Sequence, residues 1–225
     1  MKVLQILPQL NIGGVERGTL DLSKALIHKG HQSFVISGGG VLVDELTQCG
    51  AKHYEIPVHI KSLRTLSLAK RLSETISSID PDIVHVRSRM PAWVNYRAFK
   101  MLQKKPLLVS TFHGLYSFPI YSKVMSFVDH SIAISKTVER YILENYKLDK
   151  GDITVIPRGC DPLEFNNEVI NPVDKANIIE EFPQIVGKKV LTIPGRITKW
   201  KGVAEFIDLL SLLDDNYHGL IVGPT

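Results

Sequence analysis

Seven short runs rich in Val, Ile and Leu punctuate the first 160 residues: "KVLQIL", "SFVIS", "KHYEIPV", "DIVHVRS", "PLLVSTF", "HSIAIS" and "ITVIPRG". Most lack the in-out alternation of a strand with one wet face. Strands of this kind are buried on both sides, which requires a parallel sheet with helices on each face. Helical patterns separate the runs. In "GGVERGTLDLSKALIHKGH" the residues Leu20, Leu22, Ala25, Leu26 and Ile27 form an apolar stripe, and the long pattern "SLRTLSLAKRLSETISSID" is ended by Pro81. Right-handed crossovers between such strands give an α/β, doubly wound, Rossmann-like sheet. Ligands of that fold bind outside the carboxyl ends of the strands, so the loops there are where chemistry is expected.

After "IPRGCDPLEF" the pattern breaks. Residues 1–166 read as the first domain and 167–187 as a linker around one weak helix, "KANIIEEF". A new strand–helix–strand unit occupies 188–225, with elements expected at 188–194, 202–213 and 218–222. Two parallel strands and one helix leave open edges and an uncovered face. This is the start of a second Rossmann-like domain, incomplete as it stands. A partner chain that completes it, or makeshift packing on the first domain, is the expectation.

Bulk properties narrow the function classes. The charge of +4, from 27 basic and 23 acidic side chains, is too small and scattered to indicate nucleic acid. No apolar run approaches the ~20 residues that span a bilayer. Cys49 and Cys160 stand far apart with no CxxC pattern, which suits a reducing cytosol.

Five loops carry candidate residues. "LNIGGVERGTL" places Gly13, Gly14 and Gly18 at a strand-to-helix turn, where free N–H groups and the helix dipole attract an anion. It is neither GxGxxG nor a P-loop, and a plain tight turn is an equal reading. "STFHGLYS" sets His113 at a strand's carboxyl end, able to donate a hydrogen bond to a sugar hydroxyl or to shuttle a proton. In "DIVHVRSRMPAW", Arg87 and Arg89 leave a strand and Trp93 opens the next helix; the cations either hold a carboxylate or phosphate or are solvated loop charges. "IPRGCDPLEF" turns at Gly159 and Asp161-Pro162, shaping an interdomain cleft. In "LTIPGRITKWKGVAEFIDLL", Arg196, Lys201 and a helix start converge around Gly195 and Gly202, a site for a diphosphate leaving group.

The motifs "GGVERGTLDLSKAL", "STFHG", "SIAISKTVERYI", "VIPRGCD" and "PGRITKWKG" resemble the retaining nucleotide-sugar glycosyltransferases of the GT-B fold, family 4, including bacterial lipopolysaccharide and capsule enzymes. The resemblance covers essentially the whole chain. It implies two Rossmann-like domains across a cleft, with the acceptor on the first and the donor on the second. Carried over, Arg196 and Lys201 hold the donor diphosphate, Gly13 and Gly14 approach it, and catalytic His113 sits beside the transferred sugar. Ser135 of "AISK", Arg87 and Arg158 fall at the acceptor or cleft side. The family's Glu-x7-Glu motif and C-terminal crossing helix are not reached by this sequence, and "IPRGC" stands where "IPNGV" is usual.

The resemblance thus implies a hexosyl-type transferase acting on a lipid-linked or saccharide acceptor in envelope polysaccharide assembly. It implies no cofactor and no metal. The alternative is an inactive relic or half-protein that binds acceptor or a partner chain. A nicotinamide-dependent dehydrogenase is disfavoured by the missing GxGxxG. The expected location is cytoplasmic; Lys61, Arg64, Lys70, Arg71, Lys100, Lys104 and Lys105 either form basic faces that dwell near anionic lipid at the inner membrane face or, more commonly for such residues, are solvated helix faces.

Overall fold

Each apolar run becomes a strand: β1 (Lys2–Ile6), β2 (Gln32–Ser37), β3 (Lys52–Glu55), β4 (Ile83–Val86), β5 (Leu107–Phe112), β6 (His130–Ala133) and β7 (Ile153–Val155). The computed structural model describes residues 1–60, 67–116, 119–163, 171–195 and 197–223, with backbone alone at 119 and 200. Lys61, Arg64, residue 166 and Arg196 therefore lie outside the described residues.

The seven strands form one parallel sheet in the order β3-β2-β1-β4-β5-β6-β7. The winding reverses between β1 and β4, where Leu4 lies level with Phe34 on one side and Val84 on the other. That reversal opens a crevice at the carboxyl edge.

The crossovers are α1 (Gly14–His28), α2 (Val43–Gln48), α3 (Ala69–Ile79), α4 (Arg89–Phe99), the short α5 (Pro119–Ser122) and α6 (Lys136–Asn145). α3 buries Ala69, Leu72, Ser73, Ile76 and Ile79, a stripe at three- and four-residue spacing. Asp80 ends it in the left-handed region (φ 47), with Pro81 next. α4 starts at Arg89 with Ser88 extended before it, so Trp93 sits in its second turn instead of opening it. The larger core joins Leu4, Ile36, Val84 and Phe112 to Leu72, Ile76, Val94 and Ile142. Leu7, Leu10, Leu20, Val35 and Leu46 fill a second cluster, against α1 and α2. Every buried Leu or Ile contributes about 1.5–3 kcal/mol on transfer from water.

The chain divides into two compact units, Met1–Gly159 and Cys160–Thr225. The second unit holds α7 (Pro172–Glu181), β8 (Lys189–Pro194), α8 (Val203–Ser211) and β9 (Tyr217–Val222). Asn171 caps α7, its Oδ1 accepting from the Val173 amide at 2.9 Å. β8 and β9 pair in parallel as a two-stranded sheet. No described residue of this unit is buried.

Candidate active site

The crevice between β1 and β4 is flanked by the first turn of α1. Gly13 caps that helix with no side-chain acceptor, so the first-turn N–H groups lack partners within it. Glu16 turns its carboxylate back against Gly13, where the dipole favours a negative charge. One turn further on, Gly18 faces two guanidinium groups. A Cβ there would lie 2.5 Å from Arg158 Nη1 and 3.3 Å from Arg87 Nη2. Glycine inside a helix costs about 0.5–1 kcal/mol relative to alanine, and here it admits the two cations.

Arg87 leaves the end of β4 and is only 6% exposed, which overturns its reading as a solvated loop charge. Its Nη1 donates to Gln5 Oε1 at 3.0 Å, and Gln5 Nε2 donates in turn to Thr19 O (3.1 Å) and Ser23 Oγ (2.9 Å). Ser33 completes the buried chain by donating to Ser23. Arg87 Nε is buried without a partner among the described residues. Burial first, and the like charge of Arg158 second, lower the Arg87 pKa to about 10, which still leaves it cationic at neutral pH.

His113 follows β5. Its Nδ1 lies 3.0 Å from Arg158 Nη2. A guanidinium can only donate, so Nδ1 accepts and the ring proton resides on Nε2. That Nε2–H is buried and has no partner among the described residues. Burial, then Arg87 and Arg158, lower the His113 pKa to about 3. The imidazole is therefore neutral at physiological pH, and the atom a base would use is occupied. Of the two roles read from sequence, this geometry serves hydrogen-bond donation. Arg158 also donates from Nη1 to the Gly14 carbonyl, so residues 14, 113 and 158 meet at one place. Beneath them, buried His85 bonds Thr111 Oγ1 at 2.7 Å.

The remaining candidates make other contacts. Ser135 caps α6, its hydroxyl accepting from the Val138 amide at 3.2 Å, which gives it a structural duty. Arg89 lies over the rings of Tyr116 (4.8 Å) and Tyr121 (5.4 Å). Trp93 donates its indole N–H to Tyr121 O. Lys201 belongs to the second unit, where its Nζ lies 4.0 Å from the Cβ position of Gly195. Sequence reading missed Gln5, whose signal was a lone amide in the apolar run "KVLQIL".

A parallel sheet carrying a glycine turn, paired guanidinium groups and a neutral imidazole near its switch point defines a Rossmann-like domain. The comparisons sharpen this: residues 12–163 match Glycosyltransferase Family 4, and the chain belongs to that family. It is 30% identical over 175 residues to an uncharacterized glycosyltransferase of Methanocaldococcus jannaschii, covering 68% of this chain and 43% of that one. One subunit of human phosphatidylinositol N-acetylglucosaminyltransferase is 25% identical over 190 residues, covering 75% of this chain and 38% of the relative. A glycosyltransferase crystal structure from Rickettsia africae ESF-5 superposes with a TM-score of 0.82 at 35% identity, over 99% of this chain and 60% of that one. HepE of Anabaena, solved with UDP and glucose, shares the fold at a TM-score of 0.79 and 17% identity, over 98% of this chain and 60% of its own. The chain thus spans well under half of these curated relatives and three-fifths of these solved ones. Among the described residues, no helix is long and apolar enough to cross a membrane.

Proposed function

We propose that the chain serves transfer of a sugar from a nucleotide-sugar donor to a lipid-linked or saccharide acceptor in envelope polysaccharide assembly, with retention at the anomeric carbon. The observation that carries this reading is the unpartnered Nε2–H of neutral His113 beside the guanidinium groups of Arg87 and Arg158. Family membership supports it, and so do the motifs around Gly13, Gly14 and Lys201. As the bond between sugar and diphosphate breaks, negative charge grows on the leaving oxygen. In this reading amide groups at the start of α1 stabilise such charge, and Lys201 and Arg196 of the second unit hold the diphosphate. His113 donates to an oxygen of the transferred sugar without changing protonation state. The basic residues Lys70 and Lys100 line a groove with Trp93 and Tyr96, and contact with anionic lipid belongs to the same reading.

The test is release of nucleoside diphosphate from UDP-, GDP- and ADP-sugars in the presence of a lipid or saccharide extract, with melting curves in each nucleotide and in NAD. His113→Ala is expected to lower release by about 10²-fold, the effect of removing one transition-state donor. Protection by NAD, with none by any nucleoside diphosphate, would return the chain to the nicotinamide reading.

A further inference from the structure

We propose that the flank of α1 at Gly18 is a phosphate site separate from the donor's, and that the acceptor carries a phosphate held there by Arg87 and Arg158. This rests on the transfer reading above and names the class of its acceptor. The first observation is a charge without a counter-ion. Buried cations are ordinarily paired, because desolvation of an unpaired one costs several kcal/mol. Yet among the described residues buried Arg87 forms no ion pair with any carboxylate, and Arg158, an exposed cation beside it, forms none either. Glu16 and Asp21 influence both only through space.

The second is unused donor capacity. A guanidinium offers five N–H groups. Arg87 gives one to Gln5 and keeps a buried Nε–H with no acceptor among the described residues. Arg158 directs its two contacts to Gly14 O and His113 Nδ1. Two adjacent forks with free donors match a phosphate dianion in charge and in geometry.

The third is position. The free amides that attract the donor's diphosphate lie at Gly14 to Glu16, on the helix tip. Gly18, which both guanidinium groups face, is a turn along the flank, about 6 Å further down the axis; Arg158 also reaches back to the Gly14 carbonyl, so it is Arg87 that sets the site apart from the tip. The Gln5–Ser23–Ser33 chain holds Arg87 at that level, so it stays off the tip.

The experiment is calorimetric titration of the full chain with inorganic phosphate, repeated in saturating UDP. Phosphate is expected to bind equally well in both, and at least tenfold more weakly to Arg158→Gln. Because Arg87→Gln can unfold the protein, Gly18→Ala is the second variant: it keeps both arginines and favours the helix, but its methyl group displaces the forks, and it should also weaken phosphate at least tenfold. Absence of phosphate binding, competition by UDP, or unchanged affinity in both variants would overturn the proposal. Arg158-dependent binding of glucose 6-phosphate marks a soluble acceptor, and of phosphatidic acid vesicles a lipid one; each supports the site. If UDP fails to bind while phosphate binds as expected, the transfer reading falls and the anion site stands.

Discussion

His113 sits where burial and two guanidinium groups act on the imidazole together, and its proton equilibrium sets a measurable stability profile. The native pKa is about 3 and the ordinary value is 6.5, so between these the unfolded chain binds a proton that the native chain refuses. Its contribution is fully present above 6.5 and is lost as the pH falls towards 3. Buried His85 is lowered in the same direction, chiefly by desolvation. The melting temperature is therefore expected to drop from pH 7 to pH 4, more steeply than in His113→Gln. Parallel slopes in the two proteins would show that the imidazole does not titrate in this way. At the same scale, Gln5→Leu leaves Arg87 Nη1 without its acceptor in a buried site. A loss of roughly 1–3 kcal/mol in denaturant unfolding is expected, because an unsatisfied buried charge bears the desolvation penalty.

Among the elements, α6 gives the cleanest separation of scaffold from chemistry. Ser135→Ala removes the acceptor for the Val138 amide and should destabilise by about 1 kcal/mol, with Ser135→Asp restoring most of it. Full stability in the alanine variant would mean that the cap is dispensable. The strands were legible in sequence because a strand covered on both faces must be an apolar run, and each of the seven runs became one. Their spatial order was not legible, since apolar runs carry no label for their neighbours. Nor was the start of α4, which lies at Arg89 and not at Trp93. Gly13, Gly14, His113 and Arg158 were legible as separate loop residues. The burial of Arg87 was not, because its partner Gln5 lies 82 positions away and no local pattern links them.

At the scale of the whole molecule, the two units differ in how much they hide. The first carries the buried core, whereas no described residue after Gly159 is buried. Hydrogen exchange is expected to be slow in β1, β4 and β5 and fast throughout β8, α8 and β9, as a two-stranded sheet with wet faces opens locally at little cost. Equal protection would show that the second unit gains burial from a further surface. The groove of about 650 Å³ lined by Lys70, Trp93, Tyr96, Arg97, Lys100 and Met101 leads to a second expectation at this scale. The chain should sediment with phosphatidylglycerol vesicles at low ionic strength and be released by salt, less of it after Lys70→Glu with Lys100→Glu. Indifference to anionic lipid would remove the membrane from the reading.

The contact of Arg158 with Gly14 joins positions 144 apart, and it has a consequence for biosynthesis. A nascent chain leaving the ribosome displays its glycine turn early, yet the charged cluster stays unassembled until the segment after β7 emerges. Until then the growing polypeptide lacks the guanidinium that the native fold brings back to the first turn of α1.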